Sequence, residues 1–426
     1  MPSGSDTVVI KGATLIDGTG GEPQKSRNLK IAAGKIQAVM SDDEVNGGAS
    51  GVLDATGWYV MPGLIDCHVH LALDGNPTGD LRGPHAWTTL QMLKHAQDSL
   101  KSGFTTLRDV GGRHHLEFSV RNAIEQGLWA GPRLALGGKL LSITSTGTEF
   151  FDGMYREADG LDEVRKAARE QIAAGADHIK VMSTGAVMTP GEEPLSTQYN
   201  VDEMRVVVEE AAKCGKYVAA HAHAVQGIRN AVEAGVRTIE HGTFLQEDER
   251  LMATMAEKQI FLVPTLKVFH DMTGDEKTGI PDWMKDKAKR LIATHRKSIE
   301  QAIKHGVPIA MGTDACTPYN YHGDNAKELE LMRDCGMSAM AAIVASTRDA
   351  ARAIGWGAWL GTLEVGKAAD LIVLKKNPLE DLRNIKRENI AFVMKGGEVV
   401  ARPCECADSV PQAILSGAWT CCGVPS

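Results

Sequence analysis

At five places in the chain, metal-binding or titratable side chains stand at the end of a short apolar run. The first is Met61-Pro62-Gly63-Leu64-Ile65-Asp66-Cys67-His68-Val69-His70-Leu71, which closes on two histidines one residue apart. In an extended strand, residues i and i+2 face the same way. His68 and His70 can therefore aim two imidazoles at one point, which suits a divalent cation. Lys180 follows in His178-Ile179-Lys180-Val181-Met182, His221 and His223 in Ala220-His221-Ala222-His223, His241 in Ile239-Glu240-His241-Gly242, and Asp314 in Met311-Gly312-Thr313-Asp314. Each alone has an ordinary explanation: His178 or His223 as a packed histidine, Lys180 as a snorkelling surface lysine, Asp314 as a helix cap. Together they concentrate ligand chemistry at ends that a fold does not need for stability.

The runs themselves read as strands. From about 63 to 358, apolar runs at 64–70, 105–110, 132–137, 178–183, 217–222, 237–241, 260–265 and 308–313 alternate with amphipathic patterns. Those patterns cover 86–102, 114–127, 162–174, 202–214, 224–234, 247–258 and 283–305. Gly103, Gly127, Gly175, Gly215, Gly235 and Gly306 stand where helices would stop, and Asp162 and Asp202 where two would start. Eight strands, each followed by helical sequence, predict an α/β fold, a (β/α)8 TIM barrel with its chemistry at the C-terminal strand ends. An open doubly wound sheet ranks behind it, because no Gly-x-Gly-x-x-Gly opens the first helix. The irregular stretch 139–160 after the third strand is expected to cover the site.

Residues 1–62 and 359–403 instead alternate short β-type runs with Gly and Asp turns, as at Thr7-Val8-Val9-Ile10 and Asp370-Leu371-Ile372-Val373-Leu374. They predict one small β-sandwich domain built from both ends, around a barrel at 63–358 and before a tail at 404–426. The chain has 426 residues, is 43% hydrophobic and 23% charged, and carries a net charge of −8. That is ordinary globular composition, and it argues against nucleic acid or an anionic membrane as main partner. No apolar run is long enough for a membrane span, and Met1 to Thr7 lacks a signal-peptide pattern. The eight cysteines are scattered and read as reduced thiols of a cytoplasmic protein. Cys404, Cys406, Cys421 and Cys422 in the tail read as incidental thiols, with a soft metal as the alternative. Trp356 and Trp359 would pack on the β domain or in an interface of a homo-oligomer.

The opening motif, Gly175-Ala176-Asp177-His178-Ile179-Lys180, Ala220-His221-Ala222-His223, Ile239-Glu240-His241-Gly242 and the Gly366-Lys367-Ala368-Ala369-Asp370-Leu371 stretch carry a resemblance along nearly the whole chain. It resembles the metal-dependent amidohydrolase superfamily, nearest the imidazolonepropionase-related branch with Xaa-Pro dipeptidases and ochratoxin-hydrolysing amidases. The resemblance implies two divalent ions, zinc by ligand type. His68 and His70 would hold the buried ion and His221 and His241 the exposed one. Lys180 would bridge both as a CO2-derived carbamate, and Asp314 would bind the buried ion and shuttle the proton. A hydroxide shared by the ions would attack an amide or peptide bond to an amino acid, as in a dipeptidase, carboxypeptidase or N-acyl amino acid amidase. His223 would donate to the developing oxyanion. Ser183, Thr184, Gly185, Val187, Met188, Tyr319 and His322 are expected to contact the small-molecule substrate. The branch's Thr-Gly-Gly-His-Gly is replaced by Ile143-Thr144-Ser145-Thr146-Gly147-Thr148, without a histidine. Alternatives that keep the site are a cyclic amidase, lactonase or phosphotriesterase. A ligand-poor scaffold homologue and a one-metal deaminase fit less well, given the filled ligand positions and Lys180.

Overall fold

The two ends of the chain meet in one sheet. Strands β1 (Val8–Leu15), β2 (Gln24–Ala32), β3 (Lys35–Ser41), β4 (Gly51–Asp54) and β5 (Tyr59–Pro62) come from the front. The later strands β15 (Leu371–Leu374), β16 (Ile390–Lys395) and β17 (Glu398–Ala401) complete it in the order β17-β16-β15-β5-β1-β2-β3, with β4 beside β1. The structure is a computed structural model describing residues 7–41, 51–77, 83–274 and 276–401. The expected tail, 404–426 with its four cysteines, lies outside the described residues.

Where two facing sheets were expected, the described strands share one hydrogen-bonded path. Strand β1 makes this possible. Its register shifts between Ile10 and Leu15, so its first half pairs with β4 and its second with β5. Gly12 sits at the bend with φ +72°, and a Cβ there would lie 2.4 Å from the Thr56 hydroxyl. The strand period of two then divides β15 between two cores. Leu371 and Val373 join Ile10, Leu29, Ile31 and Met394, while Ile372 and Leu374 join the core of the central unit.

In that unit the parallel strands β6 (Leu64–Val69), β7 (Phe104–Asp109) and β8 (Arg133–Leu136) form one sheet. The short strands β9 (Leu140–Ser142) and β10 (Tyr155–Glu157) join β11 (His178–Met182), β12 (Tyr217–Ala222), β13 (Thr238–His241) and β14 (Phe261–Val263) in another, ordered β10-β9-β11-β12-β13-β14. Helices α1 (His85–Lys101), α2 (Leu116–Glu125), α3 (Gly160–Ala174), α4 (Val201–Lys213), α5 (Val225–Ala234), α6 (Glu249–Lys258), α7 (Leu266–Met272) and α8 (Asp282–Lys304) alternate with them. Seven of the eight expected strands thus coincide with observed ones. The eighth, 308–313, makes only single bridges, Leu262↔Ile309 on one side and Val69↔Ala315 on the other. Its amides still bond both neighbours, Ala310 N to the Leu262 carbonyl at 3.0 Å and Asp314 N to the His68 carbonyl at 2.7 Å. Pro308 removes one donor, and Asp314 turns left-handed with φ 59°, so a regular ladder cannot run through.

The six helix-stop glycines all have positive φ, from 66° at Gly215 to 102° at Gly175. The expected caps are corrected by two and three residues toward the N-terminus. Asn200 caps α4 in a reciprocal box with Glu203, and Asp159 precedes α3, leaving Asp162 and Asp202 inside the first turns. Trp356 and Trp359 pack at a tilt, ring centres 5.3 Å apart, and the Arg133 guanidinium lies over Trp359. No helix among the described residues is long and apolar enough to cross a membrane.

Candidate metal centre

The residues at the strand ends converge. The donor atoms of His68, His241 and Asp314 lie within 4.8 Å of one another, as do those of His221, His223 and His241. The His68 and His70 Nε2 atoms are 3.5 and 3.4 Å from Asp314 Oδ1. Lys180 shares the cavity, is 1% exposed, and has no hydrogen bond or ion pair among the described residues. Backbone geometry sets these positions. His241 and Asp314 both adopt left-handed φ, 69° and 59°, which swings each side chain out of strand register. Gly312 lets the last segment approach His68, since a Cβ there would sit 2.8 Å from His68 Cβ.

Each imidazole is held by its other nitrogen. His70 Nδ1 donates to the Gly111 carbonyl at 3.2 Å, and His221 Nε2 to the Gly185 carbonyl at 3.0 Å. His68 Nδ1 donates to Glu240 Oε2 at 2.8 Å. The Thr265 hydroxyl meets His241 Nδ1 at 2.7 Å, and the Thr243 hydroxyl meets His223 Nδ1 at 2.7 Å. Carbonyl and carboxylate partners require an N–H, so His68 and His70 present Nε2 lone pairs and His221 an Nδ1 lone pair. Ligating histidines are oriented by such partners.

Burial sets the charges. It pushes His70 down to about 4 and His221 to about 3, helped by the neighbouring Lys180, and holds His68, His223 and His241 well below the usual histidine range. These rings are neutral at neutral pH. Burial also lowers Lys180 to about 8, against the pull of Glu240, and raises Asp314 to about 7, against the pull of Lys180. For Glu240 burial works upward but loses to Arg108, whose guanidinium is 2.7 Å away, and to the His68 bond, so its carboxyl stays well below the usual range.

A cation fits this set. Asp314 Oδ1 is buried without a hydrogen-bond partner, yet it faces two ring nitrogens that carry lone pairs. Acceptor against acceptor is repulsive, and a proton on Asp314 could satisfy one contact but not both. A divalent ion would reconcile all three atoms.

Of the expected substrate residues, Val187 and Met188 line the cavity and the others do not. Ser183 Oγ donates to the Gly227 carbonyl at 2.7 Å, and Thr184 Oγ1 accepts from His223 N at 3.0 Å. The Gly185 carbonyl is the brace of His221. All three turn inward, and Thr184 and Gly185 hold His223 and His221 in place. Tyr319 points outward, its hydroxyl on the Thr278 carbonyl at 2.5 Å. His322 bonds Ser99 Oγ at 2.8 Å and stacks on His95 in a separate cleft. The stretch 139–160 does lie over the site, contributing Leu140, Phe151, Met154 and Tyr155 to the lining. Glu240 and Arg108, which orient His68, were not singled out in the sequence; the Glu beside His241 was the available signal.

Residues 59–400 match the amidohydrolase family. The chain belongs to this family. Ochratoxinase of Aspergillus niger is 32% identical, over 93% of this chain and 87% of that protein. Imidazolonepropionase of Geobacillus thermodenitrificans is 25% identical, over 87% of this chain and 89% of its own. A crystal structure of a Xaa-Pro dipeptidase with methionine bound in its active site superposes with a TM-score of 0.84 at 31% identity, covering 92% of this chain and 99% of that one. As an amidohydrolase the chain is a hydrolase acting on C–N bonds of small-molecule amides. The family and these neighbours imply a TIM-barrel fold, in keeping with the parallel strands and alternating helices seen here. The family is generally metal-dependent, and the His and Asp groups described above are candidate ligands.

Proposed function

We propose that this amidohydrolase is a two-metal hydrolase of an amide bond, with an amino-acid-like half in its substrate. His68, His70 and Asp314 would hold one divalent cation, His221 and His241 the other, and Lys180 both. Zinc suits imidazole and carboxylate donors. A lysine ammonium would repel cations, and its lowered pKa leaves a usable fraction neutral. That amine would add to CO2 and lose one proton, giving an anionic carbamate with two oxygens. Bound there, the ions would supply Lewis acidity that ionises a water near neutral pH and polarises an amide carbonyl. Asp314, whose carboxylate faces both His68 and His70 in the cavity, would take a proton from water and return it to the departing amine. His223, fixed through Thr243, would donate to the carbonyl oxygen as charge develops.

The observation that carries this reading is the unpartnered Asp314 Oδ1 facing two imidazole lone pairs. The likeness to ochratoxinase and a Xaa-Pro dipeptidase favours an amino-acid amide over a lactone or phosphotriester. We read the two parallel sheets as arcs of one eightfold ring, with 309–315 as its eighth member, flanked by the sheet that both chain ends build. A cytoplasmic homo-oligomer completes the reading. The test is elemental analysis of chelator-free protein, followed by an amide and dipeptide panel with ester, lactone and phosphotriester controls. About two ions per chain with amide turnover is the expected result. No metal after reconstitution with zinc and bicarbonate would overturn it.

A further inference from the structure

The cavity beside the ligand cluster is walled twice by apolar side chains. On one side Leu140, Phe151, Met154 and Met182 belong to a buried cluster beneath the loop after the third strand. On the other, Val187 from the loop after β11 and Val268, Phe269 and Met272 of α7 belong to a second cluster, which continues onto α8. Lys180 is the one ammonium or guanidinium side chain among the lining residues described. Lys287 reaches the cavity wall only from behind. Its Nζ donates to the Thr189 carbonyl at 3.0 Å and sits 4.9 Å from the Trp283 ring. The hydroxyls in the lining are neutral: Tyr155, 3.5 Å from Thr189 Oγ1, and Thr317.

We propose that the substrate is a neutral, hydrophobic amide with no free carboxylate, seated between these two walls and oriented by neutral donors such as the Tyr155 hydroxyl. This rests on the C–N hydrolase reading and narrows it. A carboxylate brought between the walls would give up its hydration with no cation among the described lining residues, outside the ligand set, to receive it. Apolar groups gain free energy on the same transfer. An amino-acid amide whose acid end is itself amidated satisfies both conditions, whereas a free dipeptide or N-acyl amino acid does not.

The experiment compares matched pairs on zinc-loaded full-length protein, following hexanoate release. N-hexanoyl-L-phenylalanine methylamide is set against N-hexanoyl-L-phenylalanine, and hexananilide against N-hexanoyl-4-aminobenzoate. The neutral member of each pair is expected to lead in kcat/KM by at least about 30-fold. Equal or better turnover of the carboxylates overturns the proposal. Calorimetric binding of the same compounds to metal-free Lys180→Met protein, whose described lining then carries no ammonium, separates the two levels of inference. If nothing is cleaved but neutral compounds bind tighter, the hydrolase reading fails and the cavity reading stands. If the carboxylates bind tighter, the cavity reading fails. Met188→Arg supplies the missing cation on a half-buried wall position, and should move the ratio toward the carboxylates by at least about tenfold. An unmoved ratio in a folded variant counts against the proposal, and the wild-type comparison stands without it.

Discussion

Arg108→Met tests whether the buried Arg108–Glu240–His68 chain sets the centre. The guanidinium is fully buried, 2.7 Å from Glu240 Oε1 and 3.0 Å from Thr238 Oγ1, and also bonds the Cys67 carbonyl. Glu240 is equally buried, and its other oxygen receives the His68 Nδ1 proton. Removing the cation leaves a carboxylate held only by the Thr238 hydroxyl and a neutral imidazole. Breaking one side of such a pair costs about 3–5 kcal/mol, against a total stability of roughly 5–15 kcal/mol for a domain. Burial would then raise the Glu240 pKa, and a protonated carboxyl orients His68 less firmly, so metal affinity should fall about 10–100-fold. The assay is urea unfolding of metal-free protein, with bound metal measured separately. Adding Glu240→Gln to Arg108→Met removes the stranded charge, and should recover at least about 1 kcal/mol of the loss. A cost below about 1 kcal/mol for the single variant, or a double variant worse than the sum of the singles, would refute the reasoning.

Lys180→Ala should lose its metal and its hydrolysis while circular dichroism shows the fold retained, and a short-chain carboxylic acid should restore part of both; full activity in this variant would sink the two-metal reading. His295 lies beyond Thr243, 3.2 Å from its hydroxyl, with a pKa lowered by burial to about 4. Unfolded protein therefore binds the extra proton below the usual histidine value of about 6.5, so this stabilisation is full above that pH and is lost by about 1.4 kcal/mol per unit down to about 4. Urea midpoints of the metal-free protein should fall less steeply across that window in His295→Gln; parallel curves would contradict it. Gly312→Ala would put a methyl 2.4 Å from Val263 Cγ1 and 3.0 Å from the His68 amide. It should cost about 1–3 kcal/mol in urea unfolding and lower metal content, and wild-type values for both would show that the close approach is dispensable.

What the sequence discloses is what local periodicity records. His68 and His70 announce themselves because strand geometry forces i and i+2 together, and the helix stops because only glycine takes their φ cheaply. The strand at 308–313 was legible as apolar sequence, but its irregular bonding follows from Pro308 and the left-handed Asp314, which pattern does not weigh. Arg108 and Glu240 lie 132 positions apart, and no local rule joins them. Ser183, Thr184 and Gly185 were placed at the substrate by adjacency to Lys180. The chain turns there, so the Ser183 hydroxyl faces the Gly227 carbonyl, and the Thr184 hydroxyl and Gly185 carbonyl brace His223 and His221 instead. Tyr319 and His322 follow the same lesson: a loop at a strand end can point away from the site it borders.

The shared sheet also bears on how the protein is made. Strand β5 leads directly into β6, and its open edge is covered by β15, from Leu371 onward. A nascent chain emerges amino end first. Until Leu371–Leu374 has left the ribosome, Leu29, Ile31 and Val60 have no Leu371, Val373 or Met394 to pack against. The leading strands must therefore wait, with a bare edge and half a core, while the whole central unit is synthesised. Exposed edges of this kind are templates for aggregation. A chaperone that shields these leading strands during translation would consequently protect yield without touching the catalytic end.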